Sequence, residues 1–148
     1  MSSVPPAVRI LPMSRNQPGF GDWDAAQVQS EFFLRHLPDQ GGRFYFPTGA
    51  MAAEEGTIVL FQYTGVVVAS AVLLEIERYE RPRTIERMPF RGAYLFDPLS
   101  IRTFTPVDAA HLKRFWPTFV RFGHAKQALS PAKAYAKFRT SLKGVRSV

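Results

Sequence analysis

The chain has 148 residues, 46% of them hydrophobic and 21% charged, a balance typical of one globular domain that argues against a disordered chain, a collagen or a coiled coil. Nineteen Lys and Arg against twelve Asp and Glu give a formal net charge of +7. Cysteine is absent, which excludes disulfides, thiolate nucleophiles and cysteine-ligated metal sites.

The first part of the chain predicts a strand, a helix and a second strand. Residues 7–11 alternate roughly between apolar and polar side chains and predict the first strand. Asp22 or Asp24 is placed to cap a helix that runs to about Leu37, because their carboxylates accept hydrogen bonds from the free N–H groups of a first turn. Residues 43–46 then predict a short aromatic strand.

Two apolar runs joined by a tight turn predict a hairpin. Residues 57–63 and 66–79 are rich in β-branched and aromatic side chains, and only Thr64 and Gly65 separate them. Because so short a turn joins them, we expect these strands to be adjacent and antiparallel. Since both runs are almost continuously apolar, we also expect them to be buried on both faces. The longest apolar run, 66–74, is too short to cross a bilayer, and we expect a cytoplasmic protein without a membrane partner.

Further strands and helices are predicted downstream of the hairpin. They are an arginine-rich loop at 78–91, strands at 92–96 and 99–105, a helix that Asp108 caps and that ends near Trp116, and a last helix that begins at Ser130-Pro131. Together these elements predict an α+β fold, a small mixed β-barrel of five to six strands with about three flanking helices. We expect one domain over 7–142, between a disordered tail at 1–6 and a basic tail at 143–148.

Several short motifs resemble the PUA-like superfamily, in particular its EVE and YTH-like domains. Residues 56–72, GTIVLFQYTGVVVASAV, resemble the central hairpin of that family. Thr105-Pro106-Val107 with Leu112-Lys113 is similar to its Pro-Val strand end and Leu-Lys helix, and 128–131 resembles its Leu-Ser turn. Phe44-Tyr45-Phe46-Pro47 resembles the aromatic segment of PUA-like modules at the front of some restriction endonucleases. The resemblance implies a PUA-like β-barrel.

The resemblance also implies a non-catalytic module that binds DNA or RNA and holds a modified or flipped base in an aromatic pocket. Stacking on an aromatic side chain returns about 1–3 kcal/mol per base, which offsets the cost of unstacking it. Trp23, Tyr45 and Tyr63 are the predicted aromatic residues of this base pocket, and Ser14 is predicted to hydrogen-bond a base edge. The alternative is that the rings belong to the core and that Ser14 bonds its own backbone in a turn.

The distribution of charge favours a polyanionic partner. Residues 1–77 hold four Arg against eight acids, whereas 78–148 hold fifteen Lys and Arg against four. The planar guanidinium group binds phosphate oxygens bidentately. The residues predicted to contact a nucleic-acid backbone are Arg78, Arg81, Arg83, Arg87 and Arg91, with Lys113 and Arg114 of the following helix. A solvated basic surface is the alternative, and Glu80 and Glu86 would neutralise part of the loop.

The sequence offers no catalytic constellation and predicts no cofactor or metal. His36, His111 and His124 lack the spacing of metal ligands, and Asp22 and Asp24 are better explained as helix caps. Two other functions stay open: a small RNase on the same barrel, and an adaptor that uses its basic face on an acidic protein. For the binding module we expect a separately encoded nuclease or modification enzyme as a further partner.

Overall fold

A computed structural model describes residues 4–14, 20 and 22–148, and within them eight strands form one mixed sheet. The strands are β1 (Val8–Pro12), β2 (Arg43–Phe46), β3 (Ile58–Tyr63), β4 (Val66–Ile85), β5 (Met88–Phe96), β6 (Arg102–Val107), β7 (Ala128–Leu129) and β8 (Arg146–Ser147). Helix α1 joins an α-helical turn at Ala25–Gln27, a π-helical stretch at Val28–His36 and an α-helical turn at Leu37–Asp39. Helices α2 (Ala109–Lys113) and α3 (Tyr135–Thr140) follow, with short 3-10 turns at Pro98–Ser100 and Ala132–Ala134.

The α+β class predicted from the sequence is confirmed, but the sheet has more strands than expected. The order is β2-β5-β4-β3-β1-β7, and β6 pairs with β4 and β8. In the described ranges no pairing joins the two ends of this path, so the sheet is open there. The additional strands β7 and β8 have two residues each, too short for any period in the sequence to reveal them.

The predicted hairpin is confirmed as β3 and β4. The strands are antiparallel, Tyr63 pairs with Val66, and the turn residues Thr64 and Gly65 have φ of 51° and 81°. Positive φ at both central residues is the type I′ geometry that suits the twist of paired strands.

Both faces of β3 are buried, as the apolar run predicted. Val59 and Phe61 pack in a core beneath α1, which contributes Phe33. Ile58 and Leu60 pack in a second core. Helices α2 and α3 cover that second face, which also holds the buried ring of Trp116. The central strands therefore lie between α1 on one side and the two later helices on the other.

The expectation of a loop at 78–91 is wrong, because this segment is a β-hairpin. Strand β4 continues to Ile85 and β5 begins at Met88, with Arg83 opposite Phe90. We call this two-stranded extension, residues 78–91, the arginine arm. All five of its arginines are exposed.

Other predicted boundaries also move, among them the end of the helix that Asp108 caps, which lies at Lys113 and not near Trp116. Strand β6 begins at Arg102 and not at 99, because Asp97 caps a 3-10 turn through a hydrogen bond that its carboxylate accepts from the N–H of Leu99 (3.0 Å). Within the segment expected as a basic tail, Arg146–Ser147 form β8, which pairs with β6, and the carbonyl of Lys143 accepts a hydrogen bond from the N–H of Thr105 (2.8 Å).

Helix α1 begins as predicted and ends later than predicted. The Asp24 carboxylate accepts from the N–H of Gln27 (2.8 Å), and the Gln27 side chain accepts from the N–H of Asp24 (3.0 Å). This reciprocal capping box fixes the first turn. The helix continues through Pro38 to Asp39. None of the helices in the described part of the chain is long and apolar enough to cross a membrane.

Candidate functional site

An open cavity of about 140 Å³ lies between α1, β2 and the tip of the arginine arm. Its walls consist mainly of aromatic rings. The lining residues are Phe20, Trp23, Phe32, His36, Gln40, Phe44, Tyr45, Ile85, Glu86 and Phe90. An apolar cavity of roughly 150 Å³ is enough to hold a benzene-sized ring. We call this the aromatic cavity.

Two of the three predicted aromatic residues line this cavity. The half-buried ring of Trp23 lies nearly parallel to the rings of Phe20 and His36, with interplanar angles of 19° and 18° and centroid distances of 5.7 and 6.2 Å. The half-buried ring of Tyr45 contacts Phe90 across the sheet at a centroid distance of 5.5 Å. Both side chains therefore line the open cavity and keep part of their surface exposed.

Tyr63 does not belong to the cavity. Its side chain is fully buried in the core beneath α1, so it has no free ring face on which a base could stack. Its hydroxyl donates a hydrogen bond to the carbonyl of Trp23 at 2.5 Å. Tyr63 therefore contributes to this site by fixing the backbone of Trp23.

Helix α1 contributes Phe32 and His36, and Gln40 follows directly after its end; none of the three had been assigned to a pocket from the sequence. They follow one another at intervals of four, which places Phe32 and His36 on one face of the helix. Gln40 is fixed because its amide donates to the carbonyl of Arg43 at 2.7 Å. The spacing of four was the signal available in the sequence.

Other predicted site residues lie elsewhere. Ser14 follows β1, is exposed and does not line the aromatic cavity. Lys113 and Arg114 lie at the end of α2, on the side of the second core, and are exposed there. The structure therefore does not bring these three residues to the cavity.

The arginine arm forms one wall of the cavity through Ile85, Glu86 and Phe90. Because Arg83 pairs with Phe90, and side chains alternate along a strand, Arg83 shares a face of the arm with Ile85 and Phe90. The Arg83 guanidinium lies 4.0 Å from the centroid of the Tyr79 ring. Burial, and next the charge of Glu77, raise the pKa of Tyr79 above its ordinary value.

The arginines of the arm are not neutralised by its acids. In the described ranges the ion pairs are Arg35–Glu31 (3.3 Å) and Arg43–Glu77 (3.2 Å), and neither involves an arginine of the arm. The hydrogen bond to Glu77 raises the pKa of Arg43. The arm therefore carries five exposed guanidinium groups, and of these Arg83 lies on the face of the arm that lines the aromatic cavity.

A second cavity, of about 210 Å³, lies between β6, α2 and the segment after α3. Its polar lining residues include His111, Arg114, Ser141 and Lys143. The Nε2 atom of His111 lies 2.7 Å from Oγ of Ser141. Burial, and next the charge of Arg114, lower the pKa of His111, so the neutral imidazole is favoured.

Among the described residues no three His, Asp or Glu side chains are grouped so that they could hold a metal ion. No family model, curated protein or solved structure matches this chain.

Proposed function

We propose that this chain is a non-catalytic nucleic-acid-binding module of the PUA-like type, with the open sheet as the described part of a PUA-like barrel. A flipped or modified base enters the aromatic cavity, and the arginine arm binds the phosphates on either side of it. The module meets its DNA or RNA in the cytoplasm and works with a separately encoded nuclease or modification enzyme.

One observation carries the proposal: the same hairpin supplies a wall of the cavity and a row of exposed guanidinium groups. Ile85 and Phe90 line the cavity, while Arg83 lies on the same face of the hairpin and Arg87 at its tip. A nucleotide is complementary to this arrangement, because it joins a flat apolar base, which suits the cavity, to an anionic phosphate, which suits the arginines. A base in the cavity would leave its phosphate beside the arm.

The physical properties of the cavity suit a base. Trp23 and Tyr45 offer ring faces for stacking, which is worth about 1–3 kcal/mol per base. Gln40 and Glu86 offer polar groups for a base edge. The arginines of the arm are exposed and do not line the cavity, so a phosphate bound to them stays hydrated and the ligand's charge need not be buried.

The proposal is tested by the salt dependence of oligonucleotide binding. Replacing Arg81, Arg83 and Arg87 together with Ala should weaken binding and flatten the plot of log affinity against log salt. The slope should fall by about 0.9 per lost phosphate contact on duplex DNA and about 0.7 on single strands.

The matched control removes three positive charges far from the arm. Lys133, Lys137 and Arg139 are exposed residues of the α3 region and do not line the aromatic cavity. Their triple replacement with Ala should change the slope less than the arm variant does. An arm variant whose slope matches that of the wild type would overturn the proposal, and equal losses in both variants would indicate attraction by net charge alone.

The second cavity supports a second candidate function, a small RNase. A neutral imidazole accepts protons, so His111 would act as the general base of this RNase. Arg114 and Lys143, which line the same cavity, would attract a phosphodiester. Incubating the chain with RNA, with and without divalent metal, tests this function. Cleavage that disappears in His111→Ala would favour the RNase over the binding module.

A further inference from the structure

The aromatic cavity and the arginine arm have opposite electrostatic character. Six aromatic side chains line the cavity, and aromatic ring faces carry partial negative charge. The carboxylate of Glu86 adds a negative charge to the lining, which contains no Lys or Arg and whose other readily ionisable side chain is His36. A ligand that fits both surfaces has a positive inner end and a negative outer end.

The position of Glu86 is set by the turn at the tip of the arm. Ile85 pairs with Met88, and the two residues between them, Glu86 and Arg87, have φ of 49° and 68°. This type I′ turn normally takes Asn or Gly, because other L-residues are strained at positive φ. Backbone strain of this kind is often retained where it positions a functional group.

Glu86 is also free to bind a ligand. In the described ranges it forms no ion pair, although arginines flank it along the arm. Its carboxylate is an acceptor and would favour a base edge that carries N–H donors or positive charge. A cation above an aromatic face gains further from the ring, and gains more where water is excluded.

We infer that the cavity selects a base that carries positive charge, such as a purine methylated on a ring nitrogen, and that Glu86 sets this preference. The inference rests on the proposed function and names the ligand class of that site. The cationic base occupies the negative cavity while its phosphate lies on the positive arm. A nucleotide with a neutral base matches only the second of these surfaces.

The test uses two isomers of methylated adenosine monophosphate. The 1-methyl isomer is cationic near neutral pH, whereas the N6-methyl isomer has the same size and a neutral base. Calorimetry with the full chain should show the 1-methyl isomer bound more tightly, by on the order of tenfold. In Glu86→Gln, which keeps the size of the side chain, the ratio of the two affinities should fall toward one.

Glu80→Gln is the matched control, since Glu80 is an exposed acid of the same arm that does not line the cavity. It should keep the wild-type ratio. Equal affinities for the two isomers, no binding of either, or the same fall in both variants would overturn the inference. Tighter binding of a peptide with trimethyl-lysine would also overturn it, since the cavity would then be a cage for a protein ligand.

The inference and the proposed function fail separately. If oligonucleotides bind with the slope changes expected for the arm variant, but the isomers bind equally, the inference is wrong and the proposed function stands. If oligonucleotides bind without any contribution from the arm, the proposed function is wrong whatever the isomers do.

Discussion

The hydroxyl of the buried Tyr63 donates a hydrogen bond to the backbone carbonyl of Trp23 at 2.5 Å. Trp23 lies just before the cap of α1, so this contact ties the entry of the helix to the end of β3. The core thereby fixes the position of a ring that lines the aromatic cavity.

Tyr63→Phe tests this contact. It keeps the ring in the core but leaves the Trp23 carbonyl without this donor, so the free energy of unfolding should fall by about 1–3 kcal/mol. Urea denaturation measures the change. Affinity for an oligonucleotide should fall as well, and a variant with wild-type stability and affinity would contradict a positioning role.

Removing a cavity ring should affect binding more than stability. For Trp23→Ala and Tyr45→Ala we expect a loss of about 1–3 kcal/mol in binding free energy, as for other stacked bases. Phe61→Ala is the comparison, because Phe61 is fully buried in the core beneath α1 and its truncation should cost about 3–5 kcal/mol of stability. If the two cavity variants melt as early as Phe61→Ala, their rings are core residues.

At the tip of the arm, one substitution should raise the stability of the chain and weaken its binding to an oligonucleotide. Arg87 has φ of 68°, which glycine adopts without strain. Arg87→Gly should therefore raise the free energy of unfolding by roughly 1 kcal/mol. The same change removes a guanidinium group, so oligonucleotide affinity should fall while the melting temperature rises. A fall in both quantities would show that Arg87 supports the fold.

The close approach of β5 to its neighbours requires a glycine at position 92. A Cβ atom added to Gly92 would lie 2.1 Å from the carbonyl oxygen of Glu77 and 2.4 Å from the ring of Phe46. Gly92→Ala should therefore destabilise the chain by about 1–3 kcal/mol, as overpacked cores do. Gly123→Ala is a suitable control, because a Cβ atom there meets nothing within 4 Å. Equal melting temperatures for the two variants would contradict this packing.

Stability should depend on pH through His111. Burial and Arg114 lower the pKa of this imidazole below its ordinary value of about 6.5, so the unfolded chain binds the proton more readily than the folded one. The contribution is complete above the unfolded pKa and is lost as the pH falls through the folded pKa. Denaturation at several pH values should show a shallower acid loss in His111→Gln, and an unchanged profile would contradict the shift.

Local patterns predicted the centre of the fold well. The runs that form β3 and β4 are continuous and apolar, and the two-residue turn between them allows only one way to pair the strands. Side chains alternate between the two faces of a strand. This alternation could have placed Tyr63 in the core, since Val59, Phe61 and Tyr63 occupy one face of β3. Its position next to the turn suggested exposure instead.

The arginine arm could not be predicted from composition. Charged residues and two prolines are typical of loops, and the turn residues Glu86 and Arg87 are not those that type I′ turns favour. The aromatic cavity could not be predicted from the sequence either, because its rings come from segments as far apart along the chain as Trp23 and Phe90. Only the folded sheet brings such segments together.

The most direct test of the central claim compares an oligonucleotide with one of the same length whose sugars carry no bases. Both ligands offer the same phosphates to the arginine arm, but only the first offers a base to the aromatic cavity. We expect the same salt dependence for both, with the base-bearing strand bound more tightly by about 1–3 kcal/mol. We also expect Trp23→Ala to remove most of this difference. Equal affinities of the wild-type chain for the two strands would contradict a base in the cavity and leave attraction by charge alone.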